Sequence, residues 1–120
     1  MNNATITNIG IIVYGLVIGT FGVFHFLNAD GMGGMVPDYM PGPGKVWVFI
    51  TGGCLLLAAI SILINRYRRI ACLLLAAMLI IFVLLLHVPA MNNGNDNAMG
   101  QVLKDTAMAA AALMIAGRSS

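Results

Sequence analysis

Four long stretches of this chain hold almost nothing but apolar residues: approximately residues 9–27, 46–64, 70–88 and 100–117. At 1.5 Å of rise per helical residue the first three each reach roughly 28 Å, close to the ~30 Å hydrocarbon thickness of a bilayer. The fourth is shorter and Ala-rich from Val102 to Gly117; it gains length by starting a turn earlier, near Met99, or sits where the bilayer is locally thin. Hydrocarbon offers no partner to a backbone N–H or C=O, so each run must satisfy its own hydrogen bonds as a helix. The expected fold is an all-α integral membrane protein. A single four-transmembrane-helix bundle fills residues 1–120, with outward loops at 28–45 and 89–99.

Composition excludes the soluble alternative. Hydrophobic residues make up 60% of the chain and charged residues 8%, against roughly 25% charged in an ordinary soluble domain. The formal net charge of +2 is too small to point to nucleic acid. The first run is also unlike a cleaved secretory signal. Met1 to Asn8 carries no Lys or Arg, the run exceeds the usual roughly 7–15 apolar residues, and no A-x-A-like site follows it. It is expected to stay in the membrane as a helix.

Charge placement orients the bundle. Arg66, Arg68 and Arg69 fill the tight connection after the second run and Arg118 follows the fourth, so the positive-inside rule puts these points, and with them both termini, in the cytoplasm. The opposite side receives Asp30, Asp38, Lys45, Asp96, Lys104 and Asp105. It also holds the Gly-, Met- and Pro-rich connection that ends in Pro41-Gly42-Pro43-Gly44, where Pro suits the start of a helix. Tyr39, Trp47 and Tyr67 fall at headgroup depth, as an aromatic belt requires.

Small residues supply the packing surfaces. Gly15 and Gly19 form a G-x-x-x-G pair that Gly22 extends, and Ala107, Ala109 to Ala112 and Ala116 thin the fourth helix. Such faces let backbones approach closely, within one subunit or between subunits. Cys54 and Cys72 differ in depth by roughly 15 Å at helical rise, whereas a disulfide needs Cα atoms within about 7 Å. They are expected to be unpaired, small packing residues, and without a C-x-x-C the chain does not perform thiol exchange itself.

The informative polar residues share one depth. His25 lies near the outward end of the first helix, His87 near that of the third, and Asp105 about a turn into the fourth from the same side, with Lys104 and Asn28 bordering them. Ionisable groups in membrane spans are usually partnered and often functional. Three readings of this layer stand open. The first is a quinone site: imidazole hydrogen-bonds a quinone oxygen or relays its protons, and a carboxylate holds the imidazole. In the second the histidines ligate haem or a metal, with Met32, Met35, Met40, Met91 or Met99 as soft donors for copper. In the third the histidines reach interfacial water or a carbonyl, and Asp105 pairs with one of them or caps its helix.

Several segments also resemble a known family. The run Gly22-Val23-Phe24-His25-Phe26-Leu27-Asn28-Ala29-Asp30, the stretch Met35-Val36-Pro37 leading to Pro41-Gly42-Pro43-Gly44 and Trp47-Val48-Phe49-Ile50-Thr51-Gly52, the arginine turn, and the endings Leu86-His87-Val88-Pro89 and Leu103-Lys104-Asp105 resemble the DoxX family of small bacterial membrane proteins. The resemblance covers nearly the whole chain and implies four membrane helices in the bacterial inner membrane. It also implies a role as a small subunit or accessory protein of a quinone-linked redox or respiratory system. No signature of catalytic residues comes with it, so His25, His87, Asp105, Lys104 and Asn28 rest on depth and chemistry.

The resulting expectation is a membrane subunit of a quinone-linked system, contacting the lipid bilayer and either a membrane protein partner or a second copy of itself. Whether it is itself an enzyme is left open, because no soluble domain or Rossmann-type glycine fingerprint is present. The alternatives are a non-catalytic scaffold that holds a larger complex through its Gly and Ala faces, and a small metal-handling protein.

Overall fold

The computed structural model describes residues 2–33, 42–87 and 97–119; of residues 32, 33, 86, 87, 97 and 98 it describes the backbone alone. Every regular element among the described residues is helical. In chain order they are α1 (Asn3–Leu27), the short α2 (Ala29–Gly33), α3 (Gly44–Leu63), α4 (Arg68–Phe82) and α5 (Asn97–Gly117), with α4 running into a π-helical turn at Val83–His87. Three helical stretches are long and apolar enough to cross a membrane: Asn3–Leu27, Gly44–Leu63 and Arg68–Leu85. Met35, Pro37, Asp38, Tyr39, Met40, Met91 and Asp96, named from the sequence above, lie outside the described residues.

Local chemistry sets the helix ends. The Asn2 side chain accepts from the Thr5 N–H at 2.8 Å, a standard N-cap that starts α1 at Asn3 and not at Ile9, where the apolar run begins. Pro43 precedes α3 with an extended backbone. α3 closes with a Schellman motif: Asn65 takes a left-handed conformation at φ 56°, the Arg66 N–H bonds the Ser61 carbonyl at 3.1 Å, and the Asn65 N–H bonds that of Ile62 at 3.4 Å. Asn is the residue other than glycine best suited to that position.

The arginine turn is also a cap. Arg68 donates through Nε and Nη2 to the Ile62 carbonyl at 3.0 and 2.6 Å. Arg69 donates through Nη1 to the carbonyls of Ala116 and Ser119 at 3.2 and 3.4 Å. Two cations thus sit on the negative, carbonyl-bearing ends of α3 and α5, where a helix dipole favours them. The same contacts bring the end of α5 beside the α3–α4 connection.

The helices pack as two close pairs, α1 with α3 and α4 with α5, in a body measuring 47 × 25 × 21 Å. Gly15, Gly19 and Gly22 face α3. A Cβ at Gly22 would stand 3.1 Å from the Gly52 carbonyl oxygen, and one at Gly52 would stand 2.8 Å from the His25 Cβ. In the second pair Ala109, Ala112 and Ala116 are buried with Cys72, Leu75, Ala76 and Leu79 in the common core. Gly15, Gly22, Ala109, Ala112 and Ala116 are therefore covered within this one chain, whereas Ala107 and Ala110 are exposed.

Large side chains point the other way. Leu57, Leu74 and Met114 are 68%, 67% and 72% exposed, while half of the buried apolar residues are alanine or cysteine. A water-soluble protein does not leave so many large apolar side chains exposed along every long helix; such surface is compatible with lipid, where hydrocarbon already satisfies apolar side chains and close packing is what remains to be gained. Polar side chains on these helices bond the carbonyl one turn back: Thr20 to Leu16 at 2.8 Å and Asn28 to Phe24 at 3.1 Å. No buried side-chain N or O among the described residues lacks a partner.

Candidate functional site

Two stripes of buried residues lead to one place. On α1 the inward positions are Ile11, Gly15, Ile18 and Gly22, and the next step of that four-three spacing is His25. On α5 they are Ala109, Ala112 and Ala116, and one step of four backwards is Asp105. Both polar residues therefore continue the inward face of their helices at the end away from the arginine turn. Both line a cavity of about 640 Å³ that all four long helices enclose.

Most of the cavity wall is apolar. Phe21, Leu55, Met78, Leu79, Phe82 and Met108 form much of it. Polar groups enter from three helices: His25 and Asn28 from α1, Thr51 and Cys54 from α3, and Gln101, Lys104 and Asp105 from α5. Trp47, at the start of α3, completes that end of the wall. A large apolar volume with a few convergent polar groups is the usual form of a small-molecule site.

The His25 ring is fixed by its own helix. Its Nδ1 lies 2.7 Å from the Phe21 carbonyl oxygen. A carbonyl only accepts, so Nδ1 carries the hydrogen, and in the neutral ring Nε2 carries the lone pair. His25 is half-buried, and Gly52 is what allows α3 to pass so close to its Cβ.

Lys104 and Asp105 form the charged part. Lys104 Nζ donates to Gln101 Oε1 at 2.7 Å, lies 4.8 Å from the centroid of the Phe21 ring, and stands 3.7 Å from Asp105 Oδ1. The cation over an aromatic face links α5 to α1 across the cavity. Asp105 is only 5% exposed, so its carboxylate acts in a poorly screened setting.

Of the five residues singled out in the sequence, four meet at this cavity: His25, Asn28, Lys104 and Asp105. The backbone of His87 lies in the π-helical turn, and its side chain falls outside the described residues. Gln101, Thr51, Trp47 and Cys54 also line the cavity and were not anticipated as site residues. Their signal was available, since Trp47, Thr51 and Cys54 recur at steps of four and three along α3 and Gln101 lies three and four residues before Lys104 and Asp105. Both cysteines are free; Cys72 is buried in the core as a packing residue, but Cys54 is exposed. Among the proposed soft ligands Met99 is exposed on α5; the Met32 side chain and Met35, Met40 and Met91 lie outside the described residues. Among the described residues no three His, Cys, Asp or Glu side chains gather into a metal-ligating group.

One family model, described as a domain of unknown function (DUF8561), matches residues 14–116. No curated protein and no solved structure matches the chain. The match corrects the DoxX resemblance. The segments behind that resemblance are mostly glycines, prolines and apolar residues. Here Gly22 and Gly52 serve a close helix contact and Pro43 a helix start, needs that any tightly packed membrane helix pair shares.

Proposed function

The chain belongs to the DUF8561 family, a domain of unknown function, and from that premise we propose that it is a four-span integral membrane protein whose cavity holds the head group of a lipid-soluble quinone. It serves there as an accessory subunit of a quinone-linked redox system. The single observation that carries this reading is the cavity itself: about 640 Å³, apolar over most of its wall, with a few polar groups from three helices converging on it. That form suits a molecule with a compact polar head and a hydrocarbon tail.

The polar groups match a quinone in both of its oxidation states. A quinone carbonyl needs donors, which Lys104 and the Gln101 amide supply. A quinol hydroxyl needs acceptors, which the His25 Nε2 lone pair and the Asp105 carboxylate supply. These side chains hold and exchange protons. Electrons come from a partner protein, which is why the chain is read as an accessory subunit.

The fourth span is α5. Its 21 residues give about 32 Å of helix, its buried face is mostly alanine, and its two charges, Lys104 and Asp105, both line the cavity. Arg66, Arg68, Arg69 and Arg118 mark the cytoplasmic face of the cytoplasmic membrane, and both termini lie on that side. A fluorescent protein fused after Ser120 is then bright in cells, and an alkaline phosphatase fused at the same place is inactive.

The test of the ligand is direct. The protein is purified in a mild detergent, extracted with organic solvent, and the extract resolved by chromatography with a visible spectrum taken beforehand. Native quinone approaching one molecule per chain is expected, and a folded His25→Ala variant loses most of it. A preparation that carries no quinone and takes none up when it is added overturns the reading; a Soret band would instead favour haem.

A further inference from the structure

The cavity reaches the helix surface at Ile50 and Ile81, which line it and are 51% and 50% exposed. On the reading above, that surface is lipid. A pocket open to a bilayer faces competition from phospholipid at very high local concentration, and its apolar walls accept an acyl chain as readily as an isoprenoid tail. Only the polar groups can discriminate.

Lys104 alone would draw in the wrong molecule. An ammonium held by Gln101 and set over the Phe21 ring is a good partner for phosphate. Asp105 stands 3.7 Å from it. The carboxylate balances the ammonium and repels a phosphate that approaches it, and its burial lets that repulsion act with little screening. Among the described residues the other titratable groups facing the cavity are His25 on α1 and Cys54 on α3, and the described lining residues of α4, among them Met78, Leu79 and Phe82, carry no charge.

We infer that Asp105 sets the head-group preference of this site: by neutralising Lys104 it excludes anionic phospholipid and reserves the cavity for an uncharged head. The inference rests on the reading that the cavity takes an amphiphile, and it names the charge class that the site admits.

Trp47 supplies the readout. It is the chain's single tryptophan and it lines the cavity, so a quencher bound there dims the whole intrinsic tryptophan signal. The protein in neutral detergent at pH 8, where an ordinary imidazole is uncharged, is titrated with three probes: decylubiquinone, phosphatidylglycerol with brominated acyl chains, and phosphatidylcholine with the same chains. In the unmodified protein the quinone quenches saturably, and the two brominated lipids quench equally and weakly. Asp105→Asn raises the apparent affinity for phosphatidylglycerol relative to phosphatidylcholine by about tenfold, the scale of one partly screened charge at this range. Lys104→Gln, at an exposed residue, shifts the ratio the other way. The double variant Lys104→Gln/Asp105→Asn restores neutrality and returns the ratio to that of the parent.

A ratio that stays fixed in Lys104→Gln and in Asp105→Asn overturns the inference, as does a double variant that keeps the Asp105→Asn ratio. Quinone quenching with an unmoved lipid ratio removes the charge rule and supports the quinone reading. A ratio that moves as stated without any quinone quenching does the reverse. Should no probe dim Trp47 in the parent protein, the cavity does not take amphiphiles and both fall.

Discussion

The phenol of Tyr14 donates to the backbone carbonyl of Met108 at 2.6 Å, tying α1 to α5, and Met108 itself lines the cavity. Within each helix pair contact is close, but between α1 and α5 this bond and the placement of Lys104 over Phe21 are the polar links described. Tyr14→Phe keeps the ring and removes the donor. A single hydrogen bond in such a setting contributes about 1 kcal/mol net, so unfolding in mixed detergent micelles should shift by that amount. An unchanged midpoint would mean that the two pairs are held by other contacts.

Gly52 and Gly53 are adjacent but differ in what a methyl group would meet. At Gly52 an added Cβ lies 2.8 Å from the His25 Cβ and 3.2 Å from the Gly22 carbonyl oxygen, whereas at Gly53 nothing lies within 4 Å. Gly52→Ala therefore forces α1 and α3 apart and costs roughly 1–3 kcal/mol, displacing His25 and weakening quinone retention with it. Gly53→Ala is neutral or mildly stabilising, because Ala is the better helix former. Thermal unfolding of the two variants side by side checks the contrast.

Much of this was legible from residues alone, and the reason is physical. Lipid acts on whole segments, so apolar length announces helices without any detail of contact. Depth is also readable, since 1.5 Å per residue converts position to height; that is how His25 and Asp105 were placed at one level. Rotation about the helix axis is harder to read, yet the stripes Ile11-Gly15-Ile18-Gly22 and Ala109-Ala112-Ala116 carry it, and His25 and Asp105 fall on their continuations. Arg68 and Arg69 were read only as topology signals. Their capping bonds depend on where Ile62 and Ala116 end up in space, and the bond to Ala116 spans a separation that no local pattern encodes. The family resemblance failed for a related reason, because glycines and prolines record packing needs common to many membrane helices.

Arg68 places two donors on one carbonyl, that of Ile62. Arg68→Ala leaves the end of α3 without that partner and lowers stability by about 1 kcal/mol. Arg68→Lys keeps the charge but not the fork, and so recovers only part of the loss. If lysine restores full stability, charge at the helix end matters and the geometry does not.

Outside the spans, Asp30 on α2 bonds Lys45 at the start of α3 at 2.8 Å, and this hydrogen bond and the lysine charge hold the Asp30 carboxyl below its ordinary value of 3.8. A carboxyl whose pKa is depressed by folding contributes stability that is fully present above the unfolded value and is lost as pH falls through the folded one. Anchoring of α2 to α3 should therefore be constant above about pH 5 and weaken below pH 4. Hydrogen exchange of the Asn28 to Gly31 amides, corrected for intrinsic rates, reports it, and Asp30→Asn should abolish the pH dependence. Because Asp30 is fully exposed, the effect is local and leaves global unfolding unchanged.

The two thiols separate cavity from core. Cys54 is exposed and lines the cavity, whereas Cys72 is buried among Leu75, Ala76 and Leu79. A membrane-permeant maleimide should add once to the folded protein, at Cys54, and a second time only after denaturation, with no mass change on reduction because no disulfide joins the pair. Reaction at Cys54 passes through the thiolate and needs room for the reagent, so a molecule seated in the cavity slows it. Decylubiquinone at a concentration that just saturates the parent protein should reduce its alkylation rate severalfold and protect Gly52→Ala less, where displacement of His25 has already weakened the site. Equal rates with and without the quinone would place its binding away from this cavity, whatever the extract contains.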